Sequence, residues 1–408
     1  MGKGLFLAVI FPLLVCGNCA RAGKNQTAPV SAAAARKGQS AWPTAKPTAR
    51  NLQERYMPAA MADGMIKIAV LVNLPAGDQS RQFLEGCVSE GRSMGFTVDT
   101  FVSGADKSRC REIAAGIARA DYDGLIFAYG ETNVSPNGDN EFFFDMFKPI
   151  AAQGIKIVTF ETFPPQNYSP PDGLIATFQN DAGLARLSLD VLLSSTRRYA
   201  DRPVMVIRVG CDPGIPFLDR RTQVFNEYVR QGAMAEAAFV NVGGTENPDH
   251  AAWEELAAIL PRFPPGSVDA IWTPYDKFAE GCVQALASMD RRDIKLVSIG
   301  ISNDDIRAMQ RHSETWLANV AVDPKLAGTV NMRILAAALA GETLPDTVSF
   351  APQLLKAANL NSAINVVNIA VMVPAWGDSW GLFDHYPWMN NLKKAEEKYL
   401  RIPPMAAP

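Results

Sequence analysis

From residue 66 onward the chain alternates short apolar runs with stretches whose apolar residues recur every three or four positions. Ile66–Val72 (IKIAVLV) is apolar at nearly every position, as in a strand buried on both faces of a parallel sheet, and Asn73 closes it. The same reading predicts strands at Phe96–Val102, Gly124–Tyr129, Ile155–Glu161 and Leu174–Phe178. Between them it predicts helices over Gln79–Met94, Ser108–Ala120 and Phe142–Gln153, each closed by Gly or Asp. The alternation then restarts. Helices are expected at Ala182–Ser195, Leu218–Gln231, His250–Leu260, Lys277–Ser288, Asp304–Arg311 and Pro324–Ala340. Strands are expected at Val204–Val209, Ala238–Val242, Ala270–Thr273, Lys295–Gly300 and Trp316–Val322. Two consecutive alternating units imply an α/β fold of two doubly wound parallel-sheet domains. Beyond Leu344 strand-like runs stand at Val348–Phe350 and Ile364–Val373, followed by an aromatic-rich end.

The first residues have a different character. Lys3 precedes the apolar run Leu5–Val15 (LFLAVIFPLLV), and small residues lead to Ala20-Arg21-Ala22. This is the pattern of a secretory signal peptide over 1–22, and the run is too short for a membrane span of about 20 residues. Residues 23–64 are rich in Ala, Pro, Gln, Thr and Arg without apolar periodicity, which reads as a flexible leader. The signal places the mature chain outside the inner membrane, in the periplasm. Three Asn-x-Ser/Thr sequons, at Asn25, Asn133 and Asn167, would matter only in a eukaryotic secretory route. Past residue 22 four cysteines remain, Cys87, Cys110, Cys211 and Cys282. An oxidising compartment permits disulfides, but Cys87 and Cys282 sit inside helical patterns where a thiol packs as a small apolar group, so free buried thiols are expected.

Charge and motifs exclude several functions. The net charge is −3 and no block of Lys or Arg forms, which speaks against nucleic acid. The three histidines, His250, His312 and His385, are too scattered for a His-rich metal site, and no metal or cofactor is expected. No phosphate-binding Gly loop is present. Gly377–Gly381 (GDSWG) fits a G-x-S-x-G nucleophile elbow, but Asp384, His385 and Pro387 follow too soon for the helix and triad it requires. The chain is not expected to be an enzyme.

In open parallel sheets ligands bind beyond the C-terminal strand ends. The loops there are Asn73–Ser80, Tyr129–Thr132, Glu161–Phe163, Cys211–Asp219, Tyr275 with Asp276, and Ile301–Asn303. Their carboxylates, amides and rings suit a small polar ligand with hydroxyls. The candidates are Asp78, Gln79, Ser80, Tyr129, Glu131, Glu161, Asp219, Tyr275 and Asn303. Asp78, Asp276 and Asn303 also stand where helix caps belong.

Over Ile66–Leu355 the chain resembles the sugar-type periplasmic binding proteins of ABC importers, the class of the ribose and galactose receptors. The matching marks are FLEG at Phe83–Gly86, DGLIF at Asp123–Phe127, IKIVTFE at Ile155–Glu161 and QNDAG at Gln179–Gly183. They continue with DAIWTPYD at Asp269–Asp276, IKLVSIG at Ile294–Gly300 and ANVAVDP at Ala318–Pro324. The resemblance implies a three-stranded hinge near Phe178/Gln179, Val322/Asp323 and after Ala351. It implies a first lobe of residues 65–178 plus 323–351, a second lobe of 179–322, and an extension of 352–408 that it does not place. It implies a monomer that captures a sugar, polyol or similar ligand between the lobes and delivers it to a membrane permease, or alternatively presents it to a sensor kinase or chemoreceptor. In that family Gln79 and Ser80 stand where aromatic rings sandwich a sugar, and Glu161 stands at a sugar-binding Asp. Asp219 stands where an Arg is usual, Tyr275 where an Asn is, Ile301 where an Asp is, and Val322 where a Gln is. These exchanges imply a ligand other than a standard pentose or hexose. Asp219 in place of Arg argues against an anion, and Glu161 with Asp219 favours a polyol or a cation-bearing ligand.

Overall fold

A computed structural model describes residues 48–61, 65–130, 140–163, 171–196, 202–212, 215–243, 245, 247–373, 376 and 386–400. In chain order the first elements are α1 (Ala49–Tyr56), β1 (Lys67–Val72), α2 (Asp78–Ser93), β2 (Thr97–Val102), α3 (Lys107–Ile117), β3 (Gly124–Ala128), α4 (Asn140–Ala151), β4 (Lys156–Phe160) and β5 (Ile175–Gln179). Then come α5 (Asp181–Thr196), β6 (Val204–Gly210), α6 (Pro216–Arg230), β7 (Met234–Asn241), α7 (Pro248–Ile259), β8 (Ala270–Thr273), α8 (Asp276–Ser288), β9 (Lys295–Ile299), α9 (Asn303–Arg311) and β10 (Trp316–Ala321). The chain finishes with α10 (Pro324–Leu339), β11 (Thr347–Phe350), β12 (Gln353–Lys356) and α11 (Pro387–Leu400).

The strands form two six-stranded sheets, ordered β11-β5-β4-β3-β1-β2 and β12-β10-β9-β8-β6-β7. Pairing is parallel throughout the first sheet, and in the second only β12 runs antiparallel, against β10. Helices cover both faces, so β1, β3, β6, β8 and β9 are buried almost throughout, which is why they read as continuous apolar runs. The chain passes between the sheets three times, after β5, after β10 and between β11 and β12. α5 therefore packs on the second sheet, and α10 returns to pack on α2, β3 and β4 of the first.

Two glycines set the contact between α2 and α10. A Cβ on Gly86 would lie 2.0 Å from the Lys325 carbonyl oxygen, and one on Gly328 would lie 2.1 Å from that of Phe83. The Cys87 thiol donates to the Gly328 carbonyl across the same seam, at 3.3 Å. Cys87, Cys110, Cys211 and Cys282 are buried and form no disulfide, and Cys87 and Cys282 lie in helices as their patterning suggests.

Four segments depart from the sequence pattern. The expected leader carries α1, whose Leu52 is buried, with Met57 and Met61 buried just beyond it. Strand β7 begins at Met234 rather than Ala238, because parallel pairing with β6 outweighs the weak strand preference of its Ala and Glu. The expected strand at 364–373 is a series of turns. There Asn361, Asn365 and Asn368 accept hydrogen bonds from the backbone N–H groups of Ala363, Val367 and Asn365 and so compete with any strand ladder. Finally, the tail packs on both domains. Ile364, Val366, Ile369 and Trp376 form a cluster with Ile301, Ile306, Ala321 and Leu355. Helix α11 lies against α1 and α2, and Lys393 pairs with Glu90 at 3.0 Å. The signal-peptide region, the sequons at Asn25, Asn133 and Asn167, and the Gly377–Gly381 motif fall outside the described residues.

Gly328→Ala is expected to lower stability by about 3 kcal/mol, because α2 and α10 must move apart to admit the methyl group. Ile369→Ala is expected to cost about 2–5 kcal/mol through loss of tail packing. Urea unfolding midpoints measure both, and wild-type midpoints would show that these contacts carry no weight.

Candidate functional site

In both sheets the strand order reverses beside the first strand of the alternation, between β1 and β3 and between β6 and β8. Connections leave such a point in opposite directions, which opens a crevice at the C-terminal strand ends. A cavity of about 80 Å³ lies there, lined by Leu74, Gln79, Tyr129 and Glu161 from the first domain and by Gln179 at the end of β5, where the chain crosses to the second. The second domain contributes Phe217, Arg221, Tyr275, Asp276, Gly300 and Ile301. One water needs roughly 10–15 Å³ of such space, so the cavity has room for about five to eight water-sized groups. An outer groove of about 670 Å³ adjoins it, lined by residues 74–81, 275–277, 301–304 and Arg307.

The candidate residues fall into four groups. Gln79, Tyr129, Glu161 and Tyr275 line the cavity. Asp78, Ser80 and Asn303 line only the outer groove. Ser80 acts there as a helix cap, its hydroxyl accepting from Gly77 N–H and donating to the Pro75 carbonyl, each at 3.0 Å. Asp78 joins the domains, because its Oδ2 accepts from the Asn303 N–H at 3.0 Å while the Asn303 side chain accepts from the tail at Val366. Asp219 lines neither space, and Glu131 lies outside the described residues. The wall expected to hold Asp219 holds Arg221 instead. Leu218, Arg221 and Phe225 share the buried stripe of α6, at a spacing of three and four, and Asp219 falls beside that stripe. This spacing was open to view in the sequence. With Arg221, the residues Leu74, Gln179, Phe217, Asp276, Gly300 and Ile301 complete the lining beyond the candidate residues.

Two wall residues adopt a backbone conformation that side-chain-bearing residues seldom use. Tyr129 has φ 65° and Glu161 φ 51°, each directly after its strand. Ladder bonds hold them there, from Tyr129 N–H to the Phe160 carbonyl at 2.8 Å and from Glu161 N–H to that of Thr177 at 3.0 Å. Such strain persists where surrounding structure imposes it, commonly at functional sites. The Tyr129 ring meets Phe83 and Phe160 edge-on, with centroids at 5.6 and 5.3 Å. Its buried hydroxyl has no hydrogen-bond partner among the described residues, and burial pushes its pKa well up.

Behind this wall lies a knot of charge. Asp181, the first residue of α5, accepts from Nε of both Arg220 and Arg221 at 2.8 Å. Arg221 also donates through Nη1 to the Pro274 carbonyl at 2.9 Å. Arg220 covers the Phe163 ring at 4.0 Å, and Phe163 stacks on Phe178. Glu161 sits beside this knot and accepts from the Gln179 N–H. Its burial and the Asp181 charge push its pKa up to about 8, against the opposing pull of the Gln179 N–H and the two arginines.

In the second domain Gly300, at φ 113°, lets the Asp276 carboxyl lie against the backbone, since a Cβ there would stand 2.7 Å from Asp276 Cγ. Burial pushes Asp276 up, and burial together with Asp276 raises Asp305 behind it. Burial raises the Tyr275 hydroxyl as well. The arrangement offers donors, acceptors and ring faces to a small guest. Among the described residues no cluster of His, Cys, Asp and Glu could hold a metal ion.

A family model described as the periplasmic binding protein domain matches residues 68–343. A crystal structure of a sugar ABC transporter from Yersinia enterocolitica is similar at 32% identity and TM-score 0.68, covering 83% of this chain and 98% of that one. A 5-methylthioribose transporter solute-binding protein from Thermotoga lettingae, solved with 5-methylthioribose, shares the fold at 22% identity and TM-score 0.67, with 83% and 99% covered. A Caulobacter myo-inositol binding protein shares it at 15% identity and TM-score 0.58, with 73% and 95% covered. No curated protein matches the chain in sequence.

The raised Glu161 has a consequence for stability. Its folded pKa of about 8 exceeds the ordinary glutamate value near 4.3. The folded state therefore holds a proton that the unfolded chain releases, and this contribution fades as pH rises from about 4.5 to about 8. Glu161→Gln is expected to flatten the fall of Tm across that window and to raise Tm at pH 8. Parallel Tm–pH curves for the two proteins would disprove this.

Proposed function

This chain belongs to the periplasmic binding protein domain family, and from that premise we propose that it captures a small polar ligand, a sugar, polyol or similar, and delivers it to the permease of an ABC importer. The observation that carries the reading is the cavity, built from the C-terminal strand ends of both domains and holding polar groups from each. The Yersinia relative's description as a sugar ABC transporter supports it, as do the sugar and the polyol named for the more distant Thermotoga and Caulobacter structures. The signal-like segment at 1–22 supports action in the periplasm, and no described helix is long and apolar enough to cross a membrane.

The proposed cycle uses the three crossings as a hinge between lobes of 65–178 plus 323–351 and of 179–322. Ligand enters the open cleft and contacts both lobes. It shifts the hinge equilibrium by the difference in its affinity for the open and closed states, and by no more. The Asp78–Asn303 bond closes the mouth over the groove. Within the cavity Arg221 Nη2, which bonds no described residue, and the Tyr129 hydroxyl donate to ligand oxygens. Glu161 and Asp276 accept from ligand hydroxyls, and Phe217 with Tyr275 covers an apolar edge.

Titration calorimetry and thermal shift against a panel of sugars, polyols and amino sugars test the proposal. At least one member is expected to bind with a Kd near or below about 1 µM, worth about −8 kcal/mol. Phe217→Ala is expected to weaken it about tenfold or more by removing the ring wall. Absence of heat and of any thermal shift across the whole panel would overturn ligand capture.

A further inference from the structure

The cavity is more acidic than Arg221 in its wall and Arg220 behind it can offset. Arg220 and Arg221 are both bonded to Asp181, so their charge is already engaged. Lys277, the nearest cation on α8, is held at 2.6 Å by Glu280 of the same helix. Glu161, Asp276 and Asp305 form no ion pair among the described residues, the nearby cations being committed to Asp181 and Glu280, and all three are at least nine-tenths buried. Asp305 is fully buried, and neither of its carboxyl oxygens has a hydrogen-bond partner among the described residues. Its neighbour Asp276 faces both the cavity and the outer groove, and Gly300 supplies the floor that keeps it there. Burial raises both carboxyls and the Asp276 charge raises Asp305 further, so the pair resists carrying two charges, and Asp276 is the member that lines the cavity.

A buried carboxylate that lacks a cation gains most from a ligand that brings one. A neutral hydroxyl supplies a donor but leaves the charge uncompensated, and an anion adds to the repulsion. The rings of Tyr275 and Phe217 stand along the same wall and offer faces that attract a cation. We infer that Asp276, positioned by Asp305 and Gly300, is the specificity-determining residue of the cavity and selects a small polyhydroxylated ligand carrying a positively charged nitrogen, an amino sugar or amino polyol, over its hydroxyl counterpart. This rests on the ligand-capture reading and narrows its substrate class.

Calorimetry at pH 7 on matched pairs tests it: glucosamine with glucose, galactosamine with galactose, and N-methylglucamine with glucitol. In at least one pair the amine is expected to bind tenfold or more tightly. Asp276→Asn is expected to remove that preference, weakening the amine tenfold while shifting its hydroxyl counterpart less than threefold. Asp305→Ala is expected to weaken the preference, and Asp305→Asn, whose amide N–H can donate to Asp276 as a protonated Asp305 would, to restore it. Equal or tighter binding of the hydroxyl members, or an equal loss for both members in Asp276→Asn, would overturn the inference and leave ligand capture standing. Identical behaviour of the two Asp305 variants would overturn the positioning role. Silence from every pair, in heat and in thermal shift, would overturn the inference together with the reading beneath it.

Discussion

The buried carboxylate of Asp181 is the fixed point around which the site is organised. It stands where the chain leaves β5 for the second domain, at the positive end of α5, and draws in two arginines from α6. Without it the buried Arg221 guanidinium would stand beside the Phe217 ring without this counter-charge, a costly arrangement. With it, Arg221 is stretched between α5 and the Pro274 carbonyl, and one face of the cavity becomes rigid. The same carboxylate helps keep the neighbouring Glu161 protonated near neutrality. One ion cluster thus sets the geometry of the second domain and the charge state of the first domain's wall.

Strain and packing cooperate at that wall. Tyr129 and Glu161 leave β3 and β4 in left-handed conformations, which would be unfavourable in isolation. The stacked pair Phe83 and Phe160, with centroids 5.2 Å apart, gives the Tyr129 ring one place to rest. Phe83 also belongs to the helix seam that Gly86 and Gly328 draw tight. Close approach of α2 and α10 is thereby transmitted, through a packed ring, to a hydroxyl at the cavity.

The alternating pattern carried the fold in the sequence because parallel strands buried on both faces have no polar side to hide them. β1, β8 and β10 lie within a residue of their expected bounds for this reason. Legibility failed where side chains or distant partners overrule local preference. The asparagines of 361–368 turn an apolar run away from strand pairing, and α1 and α11 stabilise each other across the length of the chain. α11 was nonetheless signalled by Met389, Leu392 and Ala395, spaced at three and now buried. At the site, strand ends pointed to Gln79, Tyr129, Glu161 and Tyr275. They could not point to Arg221, which enters from the second turn of α6, nor settle on which face of that helix Asp219 falls.

Each domain also contains a thiol sealed at a glycine-tight helix seam, Cys87 where α2 meets α10 and Cys282 where α8 meets α7 beside Gly281. Burial pushes both pKa values up, so neither is a ready nucleophile in the folded state. An alkylating reagent can reach either sulfur only after its pair of helices has parted. The two cysteines are therefore built-in clocks for the breathing of each domain, and their labelling rates separate motion inside a lobe from motion between lobes.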